Sequence, residues 1–543
     1  MRTLDGGLHW QTISADLTGA TLTKAGPKPA DAPTLDNAKQ RGYGVIYTIA
    51  PSPLSALEIW AGSDTGLIHL TRNGGKTWSD VTPPGISAWS KITHIEVSHF
   101  SRGEAYAAVD RHRLDDMRPY LYRTRDFGKT WKPIVTGIAD YSFLNAIRED
   151  PKRKGLLLAG TEFGVCVSFN SGDQWYPLQL NLPVTSVRDL VIHDNDLVIA
   201  THGRSFWILD NISPLRQLDE KVAGSDYWFY KPGGAVRMTS DNFLGTPLPA
   251  DEPQAENPAR GAYLDYYLRN RAAGEVTLQI SDARGNVIRR YSSGDKPPRT
   301  PQDVAIAPRW FPKPQELSEE PGLHRFVWDL RFGRTGEKTA GEDDDEGDQR
   351  WLGPLILPGV YRAKLTVNGH ELSQPIEVTM DPRSRATHAD LIQQFQWAQR
   401  AFSDMIRAKR AVLEMNALQK QLTKIQTQIP PSEAALSRSL TTAASNVNKI
   451  LSGGNLESEA GLQSVSDDLT KALNALESAD RTPPSQVIQL YRESAKELVP
   501  KLAAWSAAKQ QLIPALNQQL RNANLPAVQI SQIEGEAEET LAR

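Results

Sequence analysis

Between residues 45 and 210, short runs of aliphatic, β-branched and aromatic residues alternate with breaks rich in Gly, Asp and Ser, the signature of successive short strands. Residues 143–148, 155–160, 165–169 and 174–178 read as four strands in a row, and 187–193, 196–201 and 205–210 as three more. From about Ser225 the rhythm loosens. Strands are expected at 235–238, 262–268, 275–281, 287–291, 324–329, 359–367 and 374–379, with a hairpin turn at Asp282-Ala283-Arg284-Gly285-Asn286 and Pro-rich connections at 247–258 and 297–321. After Asp381-Pro382-Arg383 the period becomes helical: Leu391, Phe395, Ala398, Phe402, Met405, Val412, Met415, Leu422, Ile425 and Ile429 recur mostly at steps of three, four or seven. Pro430-Pro431 ends that helix. Shorter helices are predicted near 433–451 and 456–478, divided by Gly453-Gly454, and a last one runs from Pro483-Pro484 to about Asn524, with Pro500 and Pro514 expected to kink or interrupt it.

The first two hundred residues also repeat. A pattern Ser/Thr-x-Asp/Asn-x-Gly-x-x-Trp occurs as Thr3 to Trp10, Thr71 to Trp78, Thr124 to Trp131 and Ser168 to Trp175. Each box pairs one acid or amide (Asp5, Asn73, Asp126, Asn170) with one tryptophan. The Asp or Asn side chain accepts hydrogen bonds from nearby backbone N–H groups, Gly supplies the positive φ of a tight turn, and Trp packs into a core. The later boxes recur at intervals suited to four short strands per unit, as in a propeller blade. A polar insert at 16–41 lengthens the first interval. The predicted class is mainly β with an α-helical C-terminus: a partial β-propeller of about four blades over 1–222, an immunoglobulin-like β-sandwich over 223–382 and a helical bundle over 383–543. About three complete blades, half a blade in front and an incomplete one behind do not suffice to close a ring. The expectation is therefore that Met1 is an internal start and that the chain is the C-terminal part of a longer protein.

The boxes resemble the Asp-box, or bacterial neuraminidase, repeats. Longer runs resemble a large bacterial family of glycosyl hydrolase-like or sortilin-like Asp-box proteins. They are Ala108 to Asp116, Gly160 to Val165, Ala200-Thr201-His202-Gly203-Arg204-Ser205-Phe206-Trp207-Ile208-Leu209-Asp210, Phe326 to Arg331 and Pro358 to Tyr361. The resemblance implies export, hence an extracellular or periplasmic location, although Met1 to Trp10 contain no signal-type apolar run. It also implies that the boxes are structural and lie opposite the ligand face. Sialidase chemistry does not carry over, for neither a sialidase-type arginine motif nor a tyrosine–glutamate nucleophile pair is assignable, and no stretch matches the aspartates of the xyloglucanases.

If each box joins the third and fourth strands, the turn between the second and third lies on the other face. Those turns bring up Asp64; Asp110, Arg111, His112, Asp115 and Asp116; Glu162; and His202 with Arg204. They read equally as turn residues or as the lining of a polar groove for a glycan or polypeptide. Asp115, Asp116 and Glu162 are the candidate catalytic carboxylates of the alternative reading, a glycoside hydrolase that needs an acid and a second carboxylate roughly 5–10 Å apart.

Composition narrows the field further. In 543 residues, 61 Lys+Arg stand against 64 Asp+Glu, a net charge of -3, which gives no electrostatic case for nucleic acid. No run reaches the length of a membrane span. The single cysteine, Cys166, excludes an intramolecular disulfide and a Cys-rich metal site. No cofactor or metal motif is present. The acidic run Gly341-Glu342-Asp343-Asp344-Asp345-Glu346-Gly347-Asp348 lacks the alternating ligand spacing of a calcium loop. The helical stripe suits either a self-contained bundle or a coiled coil that binds a protein partner.

Overall fold

A computed structural model describes residues 1–20, 34–239, 255, 257–295, 315–333, 353–453 and 460–531. Residues 21–33 of the 16–41 insert, most of both Pro-rich connections and the 341–348 acidic run lie outside these. The chain divides into two compact units, 1–224 and 225–543.

The first unit is a series of antiparallel meanders. Sheet one is β1 (Ile46–Ser52), β2 (Ser55–Ser63), β3 (Ile68–Thr71) and β4 (Ser79–Asp80). Sheet two is β5 (Lys91–Val97), β6 (Ala105–Asp110), β7 (Tyr120–Thr124) and β8 (Lys132–Pro133). Sheet three is β9 (Leu144–Glu149), β10 (Leu157–Thr161), β11 (Val165–Ser168) and β12 (Tyr176–Pro177). Sheet four has three strands, β13 (Val187–His193), β14 (Asp196–Thr201) and β15 (Phe206–Leu209), and is followed by two short helices, α1 (Ser213–Gln217) and α2 (Glu220–Gly224).

Strand β6 shows why the sheets stack. All six of its residues are buried. Ala105, Ala107 and Val109 join Trp60, Ile68 and Leu70 of sheet one in one core. The intervening Tyr106 and Ala108 join Leu144, Ile147, Leu157 and Ala159 of sheet three in the next. The period of two sends alternate side chains to opposite faces, so each inner sheet is apolar on both sides and is buried by both neighbours. A third core joins Leu158 and Val165 to Val187, Leu190 and Leu197. Face-to-face meanders in chain order are the arrangement of a β-propeller.

The boxes at 71–78, 124–131 and 168–175 make the turns between third and fourth strands. In each, the Ser or Thr hydroxyl accepts the backbone N–H of the glycine three places before the tryptophan: Gly75 N to Thr71 Oγ1 (2.9 Å), Gly128 N to Thr124 Oγ1 (2.9 Å) and Gly172 N to Ser168 Oγ (2.9 Å). The Asn or Asp carbonyl or carboxylate accepts the N–H just before the tryptophan, at 2.9–3.0 Å. The tryptophan does more than fill its own blade. Trp78, Trp131 and Trp175 donate their indole N–H, each at 2.8 Å, to the carbonyls of Ile13, Val81 and Ile134. Each acceptor lies three residues beyond the preceding box tryptophan, so the ring pins one sheet to the one before. The same three residues explain the glycine. A Cβ on Gly75, Gly128 or Gly172 would meet Ile13, Val81 or Ile134 at 2.7, 2.6 and 2.4 Å, and all three glycines have positive φ.

Chain ends of the stack differ from its middle. Ile49 is 68% exposed, whereas Ile95, Ile147 and Leu190, at the same place in their sheets, are buried against the preceding one. Trp10 is 58% exposed and Gly7 has open space around it. Phe206 and Ile208 are exposed on the outer face of sheet four.

The second unit begins as two sheets over one core. The smaller has the order β16 (Tyr227–Phe229), β18 (Ala262–Leu268), β21 (Gly322–Trp328). The larger has the order β17 (Ala235–Arg237), β23 (His370–Met380), β22 (Gly359–Val367), β19 (Thr277–Ser281), β20 (Val287–Ser292), and β17 pairs parallel to β23. Trp328 and Tyr266 lie in the shared core, with Tyr361 packed against it.

The helices follow: α3 (His388–Gln426), α4 (Ala434–Ser452), α5 (Leu462–Glu477), α6 (Ser485–Ala507) and α7 (Ile513–Asn522). A capping box of Thr387 and Asp390 starts α3. Its apolar stripe is buried against α4 to α7 of the same chain, so it serves a bundle and is not presented as a coiled-coil seam. Pro500 sits inside a continuous α6, while a π-helical turn at Ala508–Leu512 lies just before Pro514, where the helix is expected to be interrupted. The bundle and sandwich are locked together: Asp480 pairs with buried Arg237, and Glu477 takes both the Arg331 guanidinium and the Leu355 N–H (2.8 Å). The expected second and third segments therefore pack as one unit.

Two outcomes follow. Trp175→Phe deletes a buried indole hydrogen bond and should cost the first unit about 2 kcal/mol in denaturant unfolding, whereas Trp10→Phe should cost under ~0.5 kcal/mol; equal effects would refute the pinning role. His94, on β5, accepts the Ile147 N–H (3.1 Å) and touches the Arg148 guanidinium. Burial, reinforced by the Arg148 charge, lowers its pKa from 6.5 to about 3. Below pH 6.5 the unfolded chain binds a proton the native one does not, so stability falls with pH. Relative to His94→Asn, the native chain should lose about 2 kcal/mol more between pH 7 and pH 5, as read from unfolding curves at the two pH values.

Candidate functional site

In an antiparallel meander, the start of the first strand and the turn between second and third strands share one end; the boxes lie at the other. The predicted site residues thus fall on a single loop face of the first unit, and the geometry brings some together.

The densest part is the turn after β6. Buried Asp110 receives the His112 backbone N–H (2.9 Å), and both its oxygens lie 2.7 Å from Nδ1 of the imidazole. The half-buried ring stacks on Phe143 of the next sheet, centroids 4.9 Å apart. Asp115 closes the short 3-10 turn in a left-handed conformation (φ 62°) with its side chain in solvent. Asp116 takes two bonds from Arg118 (2.9 Å each) and one from the Tyr120 hydroxyl (2.7 Å), with Arg111 3.6 Å away. Those bonds, Arg118's above all, hold its carboxyl well below the usual carboxylate range.

One sheet further on, the Glu162 N–H bonds to the Phe143 carbonyl (3.1 Å), and its carboxylate accepts the Ser186 hydroxyl (2.6 Å). Arg188 Nη2 stands 3.7 Å from the same oxygen and its Nη1 donates to Asn145 Oδ1 (3.2 Å). The His202 N–H bonds to the Ser186 carbonyl (2.8 Å). His202 and Arg204 themselves present exposed side chains. The chain of contacts Asp110–His112–Phe143–Glu162–Ser186 thus crosses three sheets. Asp64 stands apart, on sheet one, where its carboxylate accepts the Val45 N–H (2.8 Å).

Several residues here escaped sequence reasoning. Tyr141 and Phe163 form an edge-to-face pair, centroids 5.4 Å apart, beside Glu162, and both are exposed. Lys91 lies 3.9 Å over the Tyr47 ring. The most regular omission is a β-bulge near the start of each first strand. It leaves Tyr47, Thr93, Asn145 and Arg188 unpaired in the four sheets. The signal was available by aligning repeats on the aliphatic residue two places later: Tyr47-Thr48-Ile49, Thr93-His94-Ile95, Asn145-Ala146-Ile147 and Arg188-Asp189-Leu190 share one register.

Among the described residues, no group of three or more His, Cys, Asp or Glu is disposed to hold a metal, and no helix is long and apolar enough to cross a membrane. No protein-family model matches the chain, and none of the curated proteins matches it. Among solved structures it is similar to YCF48 from Cyanidioschyzon merolae, at 18% identity over 31% of this chain and 54% of that one, TM-score 0.25. It is also similar to YCF48 bound to D1 peptide (16%, 31% and 55%, TM-score 0.24) and to a Niastella koreensis GH74 enzyme (12%, 32% and 29%, TM-score 0.27). These neighbours are β-propeller proteins. The match spans about half of the YCF48 chains and under a third of the GH74 enzyme. At such values the likeness says nothing of function, and the propeller assignment stands on strand connectivity.

Proposed function

We propose that the chain belongs to an exported Asp-box propeller protein that binds a glycan or polypeptide chain on its loop face and that also carries an immunoglobulin-type sandwich and a helical bundle. The observation that carries this reading is the unbroken ribbon from Asp110 to Ser186 across three sheets. Side chains from separate blades converge there and are ordered by mutual hydrogen bonds, while their aromatic and cationic neighbours stay open to solvent. A glycan is the better fit. The exposed Tyr141–Phe163 pair offers apolar ring faces next to fixed polar groups, the combination that holds a sugar by stacking and hydrogen bonding.

Glycoside hydrolysis is the weaker reading. It needs one carboxyl poised as an acid and another free to act. Asp116 is fully engaged by Arg118 and Tyr120, Asp110 by His112, Asp64 by Val45, and Glu162 by Ser186. That leaves Asp115, which is exposed on a turn.

Titration of the purified chain against a glycan array, with hits followed by calorimetry, should give saturable binding without product release. Phe163→Ala should weaken a hit by about tenfold, roughly 1.4 kcal/mol, with an unchanged melting temperature. Reducing-end release that disappears in Glu162→Gln or Asp115→Asn would instead establish the hydrolase.

A further inference from the structure

The loop face has an electrostatic asymmetry that its composition hides. Its buried or half-buried carboxylates are satisfied from within the protein, as the bonds to Asp64, Asp110, Asp116 and Glu162 show. Arg111 and Arg118 are spent on Asp116, but other cations of the face are less engaged. Among the described residues, Lys91, Arg113 and Arg204 have no carboxylate within ion-pair distance, and Arg188 has only Glu162, at 3.7 Å. That separation is too long for a hydrogen bond.

Arg188 is the one held in a built position. It is the bulged residue of β13, and a bulge re-aims a side chain that a regular strand would direct into a neighbouring sheet. Its neighbours Val187 and Leu190 are buried, while its own side chain is 43% exposed. Asn145, the bulged residue of the previous sheet, accepts one of its five N–H donors, and Glu162 stands off another. Its other N–H groups have no hydrogen-bond acceptor among the described residues, and Phe163 of the exposed Tyr141–Phe163 pair follows Glu162 directly in the chain. A guanidinium held at one point with donors to spare can take a carboxylate bidentately.

Building on the proposed glycan binding, we infer that Arg188 selects the ligand by reading a carboxylate on a sugar ring, so that the glycan bound is acidic, a hexuronate-bearing chain. Asn145 and Glu162 are positioning residues that hold the fork. Phe163 and Tyr141 take the apolar face of the same or the adjoining sugar.

The test is calorimetry of the full chain against galacturonate, glucuronate and mannuronate oligosaccharides, the same oligosaccharides with their carboxyl groups reduced to alcohols, and poly-glutamate of matched length. At least one uronate should bind ten or more times tighter than its reduced form. Arg188→Gln should abolish that preference by bringing the affinity for the uronate down to that for its reduced form. Arg188→Lys should keep only part of the preference, because an ammonium cannot make the paired contact, and it covers the case in which the Gln variant fails to fold. Equal affinity for acidic and reduced forms, or a preference that survives Arg188→Gln, overturns the inference while glycan binding stands. Binding of poly-glutamate alone, lost in Arg188→Gln, overturns it in favour of a peptide carboxylate. If neither a saccharide nor poly-glutamate binds, the proposed function falls with it.

Discussion

A four-stranded meander whose strands are apolar on both sides cannot be stable by itself. The two inner sheets of the first unit are such meanders, and burial of one face requires the sheet before while burial of the other requires the sheet after. Strand β6 makes the point at single-residue resolution, its odd positions closing one core and its even positions the next. Everything else in the first unit is arranged around that shared burial. The tryptophan of each box reaches back to a carbonyl of the preceding sheet, and the box glycine exists partly because that same residue comes too close for a Cβ.

Stacking also creates the loop face. Because the sheets are laid side by side at one spacing, the turns at one end of every meander become neighbours, and residues 24 to 43 positions apart in sequence share hydrogen bonds. Glu162 and Arg188, or His112 and Phe143, meet only through this juxtaposition. The order of the face comes from protein–protein bonds that consume the carboxylates; what remains for a ligand is aromatic surface and cationic donors. That division favours recognition over bond cleavage, since an acid tied to arginine and tyrosine, as Asp116 is, has lost its freedom to transfer a proton.

The second unit is organised differently. The sandwich and bundle are each apolar inside, and they meet through charge: Arg237 and Arg331 on the sandwich side, Asp480 and Glu477 at the end of α5. Removing one partner from such a buried pair is far more costly than the pair is stabilising, so these contacts act chiefly to specify how the two parts dock.

The sequence by itself determined what is local. The boxes were legible because their Asp or Asn, Gly and Ser or Thr satisfy one another within eight residues; the strands because alternation is a property of neighbours; the helix breaks because Pro and Gly act where they stand. Even there, Pro500 was accommodated inside α6, whereas Pro514 is preceded by a π-turn that joins α6 to α7. Only the tertiary structure decided which side chains are spent and which are open. Asp64, Asp110, Asp116 and Glu162 look alike in a sequence with Arg188, all polar residues near turns. Their difference arises from partners supplied by other strands and other sheets. Whether Arg188 points into a core or out to solvent turns on a one-residue bulge, a matter of register between two strands that no single strand records.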